Sequence, residues 1–164
     1  NTGTMQGNEV TKVGNNNWIM AYVHIAHDCI VGDNTILANT ATLAGHVTIK
    51  DWAIMGGQSS VHQFTTIGEH AMIAGFTGVA GDVPPYIMAW GYRAEPRGIN
   101  SEGLKRRGFS AAQIENIKQA YKILYRNGLS FNEAKTFITE MAQEHRELRV
   151  FVDFFEESTR GIIR

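Results

Sequence analysis

From Val13 onwards an aliphatic residue returns at every sixth position: Val13, Ile19, Ile25, Val31, Leu37, Leu43, Ile49, Met55, Val61, Ile67, Ile73 and Val79. The position after it is mostly small, as in Gly14, Ala26, Gly32, Ala38, Ala44 and Gly56. The fifth position is small or β-branched, from Val23, Cys29, Thr35 and Ala41 to Val83. A period of six matches neither the 3.6-residue turn of a helix nor the strict alternation of a strand. It predicts a parallel β-helix, in which each hexad makes one short strand and a turn and three hexads make a coil of 18 residues. The aliphatic position points into the prism and the small residues allow the tight corners. Such coils are stable only against stacked neighbours. The repeat therefore implies further coils upstream, and a chain that starts at Asn1 without Met reads as the C-terminal part of a longer one. The register fails around Gly7-Asn8-Glu9, which predicts a loop there.

The pattern changes after Pro84-Pro85. Ser110 with Gln113, and Ser130 with Glu133, are capping boxes that open two helices. The first is expected to stop at Gly128 and the second near Glu144, with a third helix over Leu148, Phe151, Val152, Phe154 and Phe155. The organisation is then a hexapeptide-repeat β-helix over residues 1–90, an extended connector over 91–108, and a small α-helical domain over 109–164.

Composition narrows the function. Fifteen Lys+Arg against sixteen Asp+Glu give a net charge of −1, which argues against a chain-wide nucleic-acid footprint. One cysteine, Cys29, excludes an internal disulfide framework and suits a reducing, cytoplasmic compartment. At the fifth hexad position Cys29 reads as a small core residue rather than a nucleophile. No apolar run is long enough for a transmembrane segment. The 17 glycines, set against 3 prolines, lie mostly before residue 108, many of them in hexad corners.

The 18-residue coil turns the sequence into a map, because residues i and i+18 stack roughly 4.8 Å apart. His27 stacks with Gly45, then Gln63, then Gly81. His46 lies one coil on and one residue over, His24 lies three residues before His27, and His62 adjoins Gln63. Four of the six histidines thus gather near one edge, away from His70 and His145. Imidazole is the side chain best placed to act as a general base near neutral pH. Gly45 leaves access to it, and its backbone N–H can donate to a developing oxyanion. Asp28 can orient His27 only if a corner overrides the alternation of neighbouring side chains. These elements suit acyl transfer to a hydroxyl or an amine. Zinc-binding hexapeptide β-helices resembling the γ-class carbonic anhydrases place histidines two coils apart, with another five residues on. Here those positions hold Gln63, Ser60 and Ile67, so no metal site is expected.

A second candidate site is the segment from Asn100 to Arg107. Lys105, Arg106 and Arg107, with Arg93 and Arg97 nearby, make this stretch locally basic, and Asn100 and Glu102 add neutral and anionic hydrogen-bond partners. Paired guanidinium groups fork onto phosphate oxygens, which suits a nucleotide diphosphate or an acidic protein partner.

Several segments together carry a family resemblance: His24-Ile25-Ala26-His27-Asp28-Cys29, Ala41-Thr42-Leu43-Ala44-Gly45-His46-Val47, Val61-His62-Gln63-Phe64, Asp82-Val83-Pro84-Pro85-Tyr86, Asn100 through Phe109, and Ser158-Thr159-Arg160-Gly161. They resemble the UDP-N-acetylglucosamine acyltransferases, which begin lipid A biosynthesis. The resemblance implies a left-handed parallel β-helix followed by a helical domain, assembled as a homotrimer with active sites between adjacent subunits. It implies transfer of an (R)-3-hydroxyacyl group from the phosphopantetheine of acyl carrier protein to the 3-hydroxyl of UDP-N-acetylglucosamine, with no separate cofactor. His27 matches the general base, Asp28 its supporting carboxylate and Gly45 the oxyanion donor. His24, His46, His62 and Gln63 match residues around the sugar and the thioester. Asn100, Glu102, Arg106 and Arg107 match contacts to nucleotide or donor. Gly75 matches the floor of the acyl-chain pocket, and Arg93 stands at the position capping it, where the enterobacterial version carries His. Thr2 stands in a segment where the family usually has a basic residue, which weakens any phosphate contact there. The related N-acyltransferase of the same pathway, with its shorter helical tail, and a non-enzymatic β-helix scaffold are the alternatives.

Overall fold

Twelve two-residue strands recur every six residues, from Lys12–Val13 to Gly78–Val79. The structure, a computed structural model, describes residues 1–7 and 9–164. Asn8, in the expected loop, lies outside the described residues. Each strand pairs in parallel with the one 18 residues on, as in Lys12 with Ile30, Trp18 with Ile36 and His24 with Thr42. The coils therefore form a three-sided prism whose faces are three parallel sheets. The first face holds the strands that begin at Lys12, Ile30, Thr48 and Thr66, the second those at Trp18, Ile36, Ile54 and Met72, and the third those at His24, Thr42, Ser60 and Gly78.

The first and fifth hexad positions fill the interior. Leu37, Leu43, Ile49, Met55, Cys29, Ala41 and Thr65 are fully buried, and each large aliphatic side chain contributes roughly 1.5–3 kcal/mol through that burial. Val13 and Ile19, in the first described coil, depart from the expectation at 43% exposure.

The corners are built differently from the sequence reading. The turning residue is the fourth of each hexad rather than the small second one, and glycine occupies none of these positions. Asn16, Tyr22, Asp28, Asn34, Thr40, His46, Trp52, Gln58, Phe64, His70 and Phe76 all have φ between 55° and 62°. A left-handed conformation costs an L-residue roughly 1–2 kcal/mol. Each corner residue from Asn34 to Phe76 recovers a backbone hydrogen bond to the coil before it, as in His46 N to His27 O at 3.0 Å and Phe64 N to Gly45 O at 3.1 Å.

The outward sixth positions distinguish the faces. On the second face they read Trp18, Ile36, Ile54 and Met72, continued by Met88. The third face reads His24, Thr42, Ser60 and Gly78. One side of the prism is therefore apolar outside as well as inside.

Beyond the prism, Ile87–Trp90 adds to the second face and returns antiparallel through Glu95–Ile99. The connector is not extended as far as Gly108. Ser101–Arg106 form a helix, α1, because the Asn100 side chain accepts the Gly103 N–H at its start. Helices α2 (Ala111–Tyr125) and α3 (Phe131–Glu144) begin with the two expected capping boxes. Gly128, at φ 70°, falls two residues past the Arg126 cap of α2. Helix α4 (Arg149–Glu157) buries Phe151, Phe154 and Phe155. The tail then returns to the last coil, where Asp82 N donates to Gly161 O and Ile163 N donates to Asp82 O. Among the described residues no helix is long and apolar enough to cross a membrane.

Candidate active site

The corner between the third and first faces stacks four layers of equivalent residues: Ala26-His27-Asp28, Ala44-Gly45-His46, His62-Gln63-Phe64 and Ala80-Gly81-Asp82. In the first layer the left-handed backbone of Asp28, φ 59°, swings its carboxylate to the side of its neighbour. His27 Nδ1 lies 2.9 Å from Asp28 Oδ2. A carboxylate only accepts, so Nδ1 carries the proton and Nε2 keeps its lone pair. The corner geometry thus supplies the orientation that a regular strand would have denied.

Nε2 lies over Gly45. A Cβ at residue 45 would stand 2.5 Å from His27 Cε1 and 2.6 Å from Nε2. Only glycine lets the imidazole lie against this layer. The Gly45 N–H has no backbone acceptor among the described residues, so a donor and a base share the same column. His46 meets the His27 ring edge-on at 5.1 Å, and its Nε2 is 3.8 Å from Asp28 Oδ2. Phe64 stacks on His46 at 4.4 Å.

Asp28 is buried beneath these rings. The Thr4 hydroxyl donates to Oδ2 at 2.7 Å and the Thr4 N–H to Oδ1 at 3.0 Å. Gly7 lies so close that a Cβ there would come 2.5 Å from the carboxyl carbon. The hydroxyl of Thr4, ahead of the His27 contact, holds the Asp28 carboxyl well below the usual carboxylate range. Thr4 escaped the sequence reading because it precedes the repeat and has no register to place it. Since the carboxyl is depressed, the ordered anion is present above its unfolded pKa and is lost only in strong acid. Thr4→Val is expected to lower turnover about 3- to 10-fold. Thr4→Ser is expected to restore it. Values of kcat for the full-length protein check this, and wild-type turnover in Thr4→Val contradicts it.

His27, Asp28 and His46 offer donor atoms within 4.8 Å of one another, close enough for a divalent ion to bridge. Their geometry is nonetheless that of a hydrogen-bonded pair, with the Asp28 oxygens already taken by Thr4 and His27 Nδ1.

The Asn100–Arg107 segment sits at a different corner, between the first and second faces. Asn100 is buried, caps α1 and donates from Nδ2 to His70 O at 3.0 Å. Arg107 lies over Trp52 at 5.3 Å and donates to His70 Nδ1 at 3.1 Å. Trp52, His70 and Tyr86 form a parallel stack. These two candidates hold the helical part to the prism. Glu102 is exposed and pairs with Lys105 at 2.8 Å, and Arg106 is exposed. Gly75 occupies the third corner, against Gly57 O. Arg93 is exposed in the turn of the hairpin, beside the Gly78–Tyr92 bridge. The structure therefore gathers His27, Asp28, Gly45, His46, His62 and Gln63 at one corner, with His24 on the adjoining face. It sends Asn100, Glu102, Arg106 and Arg107 to a second corner and Gly75 to a third.

Burial, followed by the Arg107 charge, pushes the His70 imidazole down to about 4. A histidine depressed in the folded state binds fewer protons than when unfolded. Its contribution to stability is therefore complete above about pH 6.5 and is lost progressively as pH falls toward 4. Discounted for its partial exposure, the loss is about 2–3 kcal/mol. Urea unfolding of wild type and His70→Gln between pH 4.5 and 7.5 is expected to show the wild type losing that much more; parallel curves contradict it.

Known proteins resemble this chain over its whole length. A family model described as "Udp N-acetylglucosamine O-acyltransferase; Domain 2" matches residues 82–163, half of the chain, and one for bacterial transferase hexapeptide repeats matches residues 11–45. A Thiobacillus denitrificans protein named acyl-[acyl-carrier-protein]--UDP-N-acetylglucosamine O-acyltransferase is 53% identical over 164 residues, covering 100% of this chain and 64% of its own length. The structure of the Francisella novicida UDP-N-acetylglucosamine acyltransferase superimposes with a TM-score of 0.97 at 51% identity, covering 99% of this chain and 59% of that one. The structure of LpxA from Acinetobacter baumannii gives 0.96 at 44% identity, covering 99% and 64%. The chain thus spans less than two thirds of the length of these relatives. The repeat, the His27 corner and the appended helices all fall within the matched regions, and the chain belongs to the UDP-N-acetylglucosamine O-acyltransferase family.

Proposed function

We propose that the protein transfers an (R)-3-hydroxyacyl group from acyl carrier protein to the 3-hydroxyl of UDP-N-acetylglucosamine, with His27 as general base. The observation that carries this reading is the His27 imidazole itself, fixed at Nδ1 by Asp28 and free at Nε2 over Gly45. His27 Nε2 takes the acceptor's hydroxyl proton as that oxygen attacks the thioester carbonyl. The Gly45 N–H donates to the oxygen that gains charge, and Asp28 stabilises the imidazolium. Collapse of the tetrahedral intermediate releases the phosphopantetheine thiolate, which takes the proton back from His27. The relatives' names support the two substrates.

The separation of the candidate residues over three corners supports a site completed by a second copy. The outward apolar column of Trp18, Ile36, Ile54, Met72 and Met88 is the surface suited to bury against it. A homotrimer brings His27 of one copy toward Arg106 or Gly75 of another. Arg106 and Glu102 then serve the nucleotide or the donor, with Gly75 and Arg93 shaping the acyl pocket. Lys105, Lys118, Lys122 and Arg126 line one groove beside α1 and α2, a surface suited to an acidic carrier protein.

The test is an assay of the full-length protein with a series of 3-hydroxyacyl carrier proteins, offering UDP-N-acetylglucosamine beside its 3-amino analogue. Ester formation on the hydroxyl is expected. Preferential acylation of the amine would replace the reading with that of the related N-acyltransferase.

A further inference from the structure

The column that begins at His27 ends at a guanidinium supplied from elsewhere in the chain. The fourth layer, Ala80-Gly81-Asp82, carries no functional group at the positions above His62 and Gln63. The C-terminal tail fills that place. Asp82 is buried and fastens the tail: its Oδ2 accepts the Ser158 hydroxyl at 2.6 Å and the Arg160 N–H at 3.4 Å. Gly161 lies against Gly81, where an added Cβ would come within 3.2 Å of the Gly161 carbonyl. From this anchored backbone the Arg160 side chain reaches down one layer. Its Nε donates to Ala80 O at 3.0 Å and its Nη1 to Gln63 O at 3.2 Å.

Arg160 is thus held by two carbonyls while no carboxylate pairs with its guanidinium among the described residues. The side chain is exposed, and Nη2 has no hydrogen-bond partner among the described residues. Two fixed N–H groups remove most of the rotamer freedom that a surface arginine would lose on binding. A planar, oriented and uncompensated fork is the arrangement that takes a phosphate. It stands roughly 10–14 Å above His27, counting layers at about 4.8 Å each.

From this geometry we infer that Arg160 is a specificity-determining residue that binds a phosphate of one substrate at the upper end of the His27 column. The inference rests on the proposed acyl transfer. Both substrates in that reaction carry phosphate: the donor in the phosphodiester of its phosphopantetheine arm, the acceptor in its diphosphate.

The experiment compares full-length wild type with Arg160→Gln and Arg160→Lys. Donors are 3-hydroxyacyl-4′-phosphopantetheine and the same thioester of pantetheine, which lacks the phosphate. Arg160→Gln is expected to raise KM for one phosphate-bearing substrate about 10- to 100-fold, with kcat changed less than about threefold. A penalty seen with phosphopantetheine but not with pantetheine assigns the donor phosphate. A penalty in the KM for UDP-N-acetylglucosamine alone assigns the diphosphate. Arg160→Lys, which keeps the charge and loses the fork, is expected to fall between. Unchanged KM values, or an equal loss with both thioesters and a fall in kcat, would mean that Arg160 only props the Gln63 carbonyl and would overturn the inference. Wild type that transfers to no acceptor would instead remove the underlying reading.

Discussion

Replacing His27 with alanine in the full-length protein is expected to lower turnover by about 10²- to 10⁴-fold, a rise in barrier of roughly 3–5 kcal/mol. The loss comes from the only unpartnered imidazole nitrogen that the corner aims over Gly45. His46 does not substitute for it. Its ring is turned 88° to that of His27 and stacked on Phe64, and its Nε2 already faces Asp28. The fold has little to lose, since the His27 side chain is 44% exposed and its ring takes no part in the coil ladder. Circular dichroism and sedimentation are therefore expected to match wild type. A variant that folds and keeps near-wild-type turnover removes His27 from the mechanism.

Gly45→Ala is expected to cost activity on a similar scale, about 10²-fold or more, through one methyl group. The backbone of Gly45 lies outside the left-handed region, so alanine suits it conformationally. The obstacle is the imidazole, whose Cε1 and Nε2 stand 2.5 and 2.6 Å from the new Cβ. The ring can leave only by giving up the 2.9 Å contact between Nδ1 and Asp28. Both the base and its tautomer are then lost while the N–H donor of residue 45 remains. A misplacement of about 1 Å at a reacting group is enough for a loss of this size. The diagnostic pattern is a fall in kcat with thermal stability nearly unchanged. Full activity in Gly45→Ala would show that the imidazole works from another position.

The prism was legible because its rule is periodic. A core position every six residues sets strand, turn and coil, and the parallel pairs follow by adding 18, so His27 and Gly45 could be matched without coordinates. The capping boxes at Ser110 and Ser130 were legible because three residues contain the whole signal. What escaped had no period. Thr4 reaches Asp28 from outside the repeat, and Arg160 reaches Gln63 across 97 positions. The corner rule is not legible in the same way, because small second-position residues resemble turn positions whereas bulky residues such as Trp52, Phe64 and Phe76 carry the positive φ. Amide and guanidinium groups suit substrate contacts, and nothing local shows that Asn100 and Arg107 also engage His70, a partner 30 and 37 residues away. Side chains that meet through long-range packing leave no local trace, so the sequence alone could not separate anchoring residues from those exposed to solvent.

The most direct test of the account is product analysis of one reaction. Full-length protein is incubated with UDP-N-acetylglucosamine and an (R)-3-hydroxyacyl carrier protein, and mass spectrometry follows both the free carrier thiol and the acylated sugar nucleotide. The account predicts one 3-O-ester formed for each thiol released. Thiol release without sugar ester, or no loss of thioester at all, would contradict it.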